Sequence, residues 1–456
     1  MKNHSDELIF QSQGLRRSAA NLVGSHRRIR LREILLACLS AKRFDIEVKM
    51  KNILIIGAGD FQLPLVQRAS RSYNVLLAAP VISDAFGPYI TDSLLIDVRD
   101  KESILEFARE RSICGVITDQ TDIAVRSVAY VAEKLGLPGI GYETGCLFTD
   151  KSLMRDRMAQ LGIKLLPHST VSSLEEALAY YDEIGGSIII KPLDTQGSRG
   201  VQICRSAEDL KSKYAEAARW SSNHSVLIER FATGREFLVE GLAVDYEFRN
   251  LCIGDTLYFD LPDAFAAKSR IFPTVVDDGL RQRVLDLNTK IITGFGLKQG
   301  ITHSEFIMDG DDIYLIETAA RGGGVFISSD LISLSCGLDT EGFLLDIASG
   351  RQKGLPEILP QQCVCGYLAF YVPEGKILRV SGVKEVQALP YVHRNQLGKL
   401  KAGTENKEGH TDKTSRIALI VSAPDRVTFA ERAARIREML QVDTETPDGI
   451  KPLIWE

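Results

Sequence analysis

A chain of 456 residues with 45% hydrophobic content can bury several cores, which predicts about two to four domains. Its longest apolar runs fall short of the roughly 20 residues needed to cross a bilayer, so the sequence reads as a soluble, cytoplasmic protein with no membrane partner. The net charge of −5 is unevenly spread: residues 1–49 carry ten Lys and Arg against five Asp and Glu, which leaves the body strongly acidic. That balance excludes a general nucleic-acid binder. Eight cysteines are scattered along the chain, and only Cys363 and Cys365 lie close. They lack the spacing of a zinc or redox motif and read as reduced thiols on one face of a strand.

Residues 1–49 form a basic N-terminal extension whose run SHRRIRLREILLACLSAKR is too far from the start for a secretory signal. It reads as an amphipathic helix docked on the body, a partner-binding arm, or an upstream extension without a role. Residues 52–56, NILII, are a continuous apolar strand, and Gly57 and Gly59 open the helix that follows. The turn invites a dinucleotide-binding reading, but Gln62 stands where the third glycine of that fingerprint belongs. Strands at 75–79 and 115–118, with helices at 101–111 and 123–135, complete a doubly wound α/β domain over 50–145. Such a sheet would hold a ligand at its strand ends, 57–62 and 118–122.

The run TDKSLMRDRMAQLGI opens a second region, 146–355, with a helix starting at Thr149 and Asp150. Lys151, in its first turn, opposes the helix dipole, so it is either solvated or held for an anionic ligand. The strand SIIIK is so apolar that Lys191 should be at least half-buried and in need of a partner. Beyond it, Gln196, Gly197, Ser198, Arg199 and Gly200 make a glycine-rich loop before the strand at 201–204. Backbone amides, a fixed Lys and a mobile cover are what a polyphosphate requires, although a plain hairpin loop fits the same residues. Two further apolar strands carry Glu229 and Glu236.

The stretch from 300 to 324, GITHSEFIMDGDDIYLIETAARGGG, reads as a hairpin with strands at 302–308 and 312–318. A turn centred on Asp311 sets Glu305 opposite Glu317, with His303 on their face and Ser304, Phe306 and Met308 turned to a core. Two directly opposed carboxylates repel unless a cation lies between them, which points to a divalent metal site. Arg321 follows four residues after Glu317, at the mouth of three glycines.

Taken in order, DK at 150–151, IIIKP with QGSRGV, E-x-F-x-x-G-x-E at 229–236, HSEF at 303–306 and E-x-x-x-R at 317–321 resemble the ATP-grasp superfamily. The resemblance covers about residues 50–450. It implies an α/β and α+β architecture: a pre-ATP-grasp doubly wound domain, an ATP-grasp nucleotide domain in two halves, and a small β-rich C-terminal domain over 356–456. It further implies that Lys151 and Lys191 contact the nucleotide phosphates under the loop of Gly197, Ser198 and Gly200. Glu229, Arg230 and Phe231 would line the adenine, and Glu236 would hold the ribose hydroxyls. Glu305 and Glu317 would carry magnesium, with manganese as a substitute, and Arg321 would steady the acyl phosphate. The family usually has Asn two residues after the second metal Glu; here that residue is Ala319.

The tail, with glycine-punctuated strands at 366–370, 376–380 and 416–421, is similar to the carboxylate-amine ligase branch, which includes L-amino-acid ligases and carbamoyl-phosphate synthetase halves. The implied protein is an ATP-dependent, ADP-forming ligase acting on small-molecule carboxylates and amines or thiols, with a homodimer compatible. His303, Lys268 and Arg270 are candidates for the substrate carboxylate, His303 equally for a supporting core position. Carbamoyl-phosphate synthetase-like or carboxylase-type chemistry, a catalytically silent ATP-binding module, and a nicotinamide oxidoreductase are the alternatives.

Overall fold

Continuous apolar runs become strands buried on both faces, and the first domain is built that way. In the computed structural model, which describes residues 50–195, 197–261, 266–407 and 415–456, strands β1 (Asn52–Ile56), β2 (Asn74–Ala79), β3 (Asp92–Leu95) and β4 (Gly115–Ile117) form a parallel sheet in the order β3-β2-β1-β4. Ile53 and Ile55 pack into one core, while Leu54 and Ile56 pack into another on the opposite face. Helices Lys101–Glu110 and Val125–Lys134 fall where the sequence predicts them, and β3 is an addition. Expectations for residues 1–49, for Gln196 and for 262–265 lie outside the described residues. Among the described residues, no helix is long and apolar enough to cross a membrane.

Gln62 explains the broken dinucleotide fingerprint. Its side chain is buried, with Oε1 accepting the Gly59 N–H at 2.6 Å and Nε2 donating to the Asp119 carbonyl at 2.8 Å. The carboxamide therefore occupies the amide that a pyrophosphate would take at a glycine turn.

A second, antiparallel sheet takes β5 (His168–Val171), β6 (Ile188–Pro192), β7 (Gln202–Cys204) and β8 (Val226–Arg230) in the order β5-β8-β6-β7. Its own core includes Ile188, Ile190, Val226 and Ile228, packed under residues such as Leu210 and Ala217 of helix Ala207–Arg219. The third sheet has eight strands. It begins with β9 (Arg235–Val244), β10 (Glu247–Tyr258), β11 (Ala267–Phe272), β12 (Gly300–Asp309) and β13 (Asp312–Ala319). It continues into β14 (Val364–Phe370), β16 (Val392–Asn395) and β18 (Ile417–Ala423), in the order β13-β12-β9-β10-β11-β14-β18-β16. The remaining strands, β15 (Gly375–Ser381), β17 (Glu405–Asn406), β19 (Gln441–Thr446) and β20 (Gly449–Lys451), make a separate sheet. A boundary at residue 355 thus falls between strands of one continuous sheet.

One core joins the parallel sheet to the large one: Ile53 and Ile55 share it with Leu238, Leu242 and Tyr367 and with residues 325–348. Polar contacts close the same seam. Asp119, at the end of β4, accepts the Gly322 N–H at 3.1 Å, and Gln120 accepts the Phe326 N–H at 3.0 Å. Burial pushes the Asp119 carboxyl up to about 6, against the hydrogen bond from Gly322 and the nearby Arg321 charge. The folded protein therefore holds a proton that the unfolded chain releases between pH 3.8 and about 6, so this group's contribution to stability falls as pH rises through that window. Asp119→Asn keeps an acceptor for Gly322 but cannot titrate. Urea unfolding at pH 4 to 7 should show the variant's stability declining less with pH, by at most about 3 kcal/mol across the window.

Candidate active site

The hairpin β12–β13 brings Glu305 directly opposite Glu317, by a route the sequence did not reveal. The turn is not centred on Asp311: Asp309 pairs with Asp312 across a two-residue loop, with Gly310 at φ +62°. A plain ladder from that turn would set Glu305 against Ile316 and send Glu317 to the other face. The register instead shifts between Glu305 and Phe306, so that Phe306 pairs with Leu315 and Ile316 is the extra residue of a bulge. Phe306 and Leu315 pack into the core behind, and Ser304 shares a 2.7 Å hydrogen bond with Thr318, as the face assignment requires.

The opposite face of the sheet is charged. On β9, Glu240 lies opposite His303. Glu240 is fully buried, accepts the Gly323 N–H at 3.1 Å, and takes a short hydrogen bond from His303 Nδ1. His303 Nε2 sits 3.0 Å from both Arg270 Nη1 and Glu305 Oε1. Arg270, reaching across two strands from β11, pairs with Glu305. Burial alone would raise the Glu305 pKa, but the Arg270 charge and His303 hold it well below the usual carboxylate range. Burial opposes the charge on Arg270 and on His303 too, and in each the neighbouring carboxylates win and raise the pKa. Glu236 is different: burial pushes it up to about 7, although the Tyr258 hydroxyl donates to it at 2.5 Å. Lys268, by contrast, is paired with Glu456 at the chain's end.

Helix Lys151–Gln160, capped by the Asp150 side chain, connects the sheets. Lys151 is buried and pairs with Glu317 at 2.9 Å while donating to the Thr195 carbonyl at 3.0 Å. Four residues on, Arg155 donates to Glu229 at 2.7 Å and to the carbonyl of the bulge residue Ile316 at 2.7 Å. Lys191, 7% exposed, finds the partner its apolar strand demands in the same Glu229, at 2.6 Å. The Glu229 side chain is thereby committed to two cations, and only its main chain is left to line a ligand. Arg230 pairs with Asp309 at 2.6 Å, and the Phe231 N–H donates to the Ser187 carbonyl at 2.9 Å. The loop of Gly197, Ser198 and Gly200 follows Thr195, with Gly200 at φ +73° where a Cβ would meet Trp220 and Pro192. Arg321 is held by Asp122 of the first domain.

Glu305 and Glu317 are each already paired with a cation, Arg270 and Lys151. Among the described residues, no group of three or more His, Cys, Asp or Glu side chains is placed to hold a metal unaided. Two opposed carboxylates complemented by waters and phosphate oxygens is, however, the way magnesium is usually held. Ala319, where the family pattern has Asn, is buried directly opposite His303 and offers no oxygen from its side chain.

Glu240 and Arg155 are support residues not named from the sequence, whereas Asp119 and Asp122 lie in the strand end 118–122 expected to hold a ligand and instead hold Gly322 and Arg321. Glu240 did leave a signal, as an acidic residue inside the apolar run FLVEGLAV at even spacing from Glu236. Removing one charge from the buried triad leaves two cations sharing a neutral side chain. Glu229→Gln should therefore destabilise the protein by about 3–5 kcal/mol, read as a lowered denaturant midpoint.

Residues 150–247 match the family model described as carbamoyl-phosphate synthase L chain, ATP binding domain. The alanine–anticapsin ligase of Bacillus subtilis is 26% identical over 296 residues, 59% of this chain and 62% of that protein. The large chain of carbamoyl phosphate synthase from Thermotoga petrophila is 23% identical over 66% of this chain and 26% of its own. The chain spans 56–62% of the length of the alanine–anticapsin ligases it matches. Among solved structures, the L-amino acid ligase from Bacillus licheniformis has a TM-score of 0.74 at 20% identity, covering 87% of this chain and 99% of that one. Phosphoribosylglycinamide synthetase from Anaerococcus prevotii gives 0.69 at 15% identity, covering 86% and 99%. These likenesses establish a shared fold, and residues 150–247 match the model of an ATP-binding domain.

Proposed function

We propose that the protein is an ATP-dependent, ADP-forming ligase that joins a small-molecule carboxylate to an amine or thiol. The observation that carries this reading is the pair of opposed carboxylates, Glu305 and Glu317, matched by Arg270 and Lys151, with Lys191 and Arg321 held by Glu229 and Asp122. The division of labour follows the three regions 50–145, 146–355 and 356–456. The relatives that act as ligases support it, and a cytoplasmic enzyme, alone or as a homodimer, is consistent with it.

A carboxylate is a poor electrophile. In the proposed reaction its oxygen attacks the γ-phosphorus of ATP, the bond to the β-phosphate oxygen breaks, and ADP leaves. The amine then attacks the acyl carbon of the resulting acyl phosphate, phosphate departs, and the nitrogen loses its proton. The chain's work is positioning and charge neutralisation. Lys151 and Lys191 are assigned to phosphate oxygens, and the backbone amides of Gly197, Ser198 and Gly200 to covering them. The segment Glu229, Arg230 and Phe231 is assigned to the adenine through its main chain. Glu236, with its raised pKa, can both donate to and accept from ribose hydroxyls. Glu305 and Glu317 would hold magnesium, which supplies charge neutralisation on the phosphates. Arg270 and His303 stand beside Glu305, so any contact with the substrate carboxylate is shared with holding that Glu.

The test is calorimetric and kinetic. ATP with magnesium should bind, NAD should not, and amino acid mixtures should stimulate ADP release. Glu317→Gln should weaken both binding and rate, because it removes a charge that balances Lys151 and a metal ion. Micromolar NAD binding without ATP binding would sink the reading.

The loop gives a separate check. Gly197 and Arg199 are exposed, the Thr195 hydroxyl donates to the Arg199 carbonyl at 3.1 Å, and the Val201 N–H donates to the Ser198 carbonyl at 3.2 Å. Exposed residues beside two glycines at positive φ suit a segment that opens and closes. A non-hydrolysable ATP analogue should slow proteolysis at 197–200; equal cleavage with and without it would remove the loop's assigned role.

A further inference from the structure

Arg321 leaves the hairpin after β13, yet its direction is set from another domain. Asp122 takes a bidentate pair, Nε to Oδ1 at 2.8 Å and Nη2 to Oδ2 at 2.6 Å, and Nη1 donates to the Gly322 carbonyl at 2.9 Å. A guanidinium has five N–H donors. Three are engaged by these bonds, which leaves two, one on each terminal nitrogen. A planar fork gripped on one edge cannot swivel, so those remaining donors have a fixed aim.

Asp122 does not act in isolation. The same strand end supplies Asp119 to the Gly322 N–H at 3.1 Å and Gln120 to the Phe326 N–H at 3.0 Å. Gln120 is itself tied back, its Nε2 donating to the Phe61 carbonyl at 2.8 Å. The loop being held is strained, with Val325 at φ +56° and Phe326 at φ +61°. Two successive non-glycine residues in the left-handed region cost on the order of 1 kcal/mol or more each, and persist only where the surroundings over-determine them. The strand-end loop 118–122 provides that constraint.

We propose that Asp122 is the positioning residue of Arg321, so that the strand end of the doubly wound domain forms a wall of the ligase site. This rests on the ligase reading above. Because Asp122 already balances the guanidinium, Arg321 offers little net attraction to ATP in the ground state. Its contribution is two aimed hydrogen bonds to oxygens whose positions are reached during transfer.

Four proteins decide it: wild type, Asp122→Asn, Arg321→Ala and the double variant. ADP release with an amino acid mixture, ATP affinity by calorimetry, and amide hydrogen exchange over residues 320–328 are measured on each. Arg321→Ala should lower turnover on the order of 10²-fold, and Asp122→Asn about tenfold or more, both with ATP affinity held within about twofold. In the Arg321→Ala background, Asp122→Asn should add nothing further. Exchange over 320–328 should rise in Asp122→Asn while the thermal midpoint is kept. Independent, additive losses, or ATP affinity falling in step with rate, overturn the proposal. If the wild type releases no ADP with any mixture, the ligase reading fails by itself. The exchange data then still decide the positioning claim, and unchanged exchange over 320–328 refutes it. Asp122→Glu, which keeps the charge but moves it by one methylene, takes the place of the Asn variant if that variant misfolds.

Discussion

Buried charge must be compensated within reach of a side chain, and in this protein that requirement falls on one face of helix Lys151–Gln160. Arg155 is 2% exposed and cannot be solvated. It must therefore sit where a carboxylate and a carbonyl are waiting, which are Glu229 on the smaller sheet and Ile316 on the larger one. An unpaired ion at that depth would cost several kcal/mol, so the helix fixes the two sheets against each other. Lys151, one turn earlier, then has no choice but to meet Glu317, because residues four apart share a face.

The bulge belongs to the same constraint. The tight turn at Gly310 and Asp311 sets a register in which Glu317 would face the apolar core. One extra residue corrects the alternation, and Arg155 bonds the carbonyl of that residue, Ile316. The same guanidinium thus neutralises Glu229 and stabilises the irregularity that puts Glu317 on the charged face. Behind the bulge, Phe306 and Leu315 stay in the core, so the correction leaves the packing intact.

Much of this was legible in the sequence, and the reasons for the gaps are physical. The apolar strand ending in Lys191 announced that a partner existed, because a buried ammonium cannot stand alone. It could not name Glu229, since a contact 38 residues away depends on which strands become neighbours. The opposition of Glu305 and Glu317 followed from period-2 alternation, yet from a turn centred one half-residue off; a bulge leaves no reliable mark when the extra residue, Ile316, is as apolar as Leu315 before it. The doubly wound domain was plain from its strand and helix alternation. The short strand Asp92–Leu95, largely exposed, lacked the hydrophobic pattern that betrays an interior strand. The pairing of Arg321 with Asp122 spans 199 residues and two domains, and no local pattern encodes it.

Such long-range pairs tie the doubly wound domain to the proposed site, whose cations and carboxylates come from the helix Lys151–Gln160, the sheets and the loop that follow it. Gln62 fills the turn that a dinucleotide would use, and it does so while bonding the carbonyl of Asp119. The residue that breaks one ligand's fingerprint therefore braces the strand end that grips the loop after the hairpin. A glycine at that position would free the turn but release Asp119, which holds Gly322. The strand-end edge of the sheet thus holds the loop that follows Arg321. Both uses depend on what stands at residue 62, and the carboxamide there blocks the Gly59 N–H while bonding Asp119.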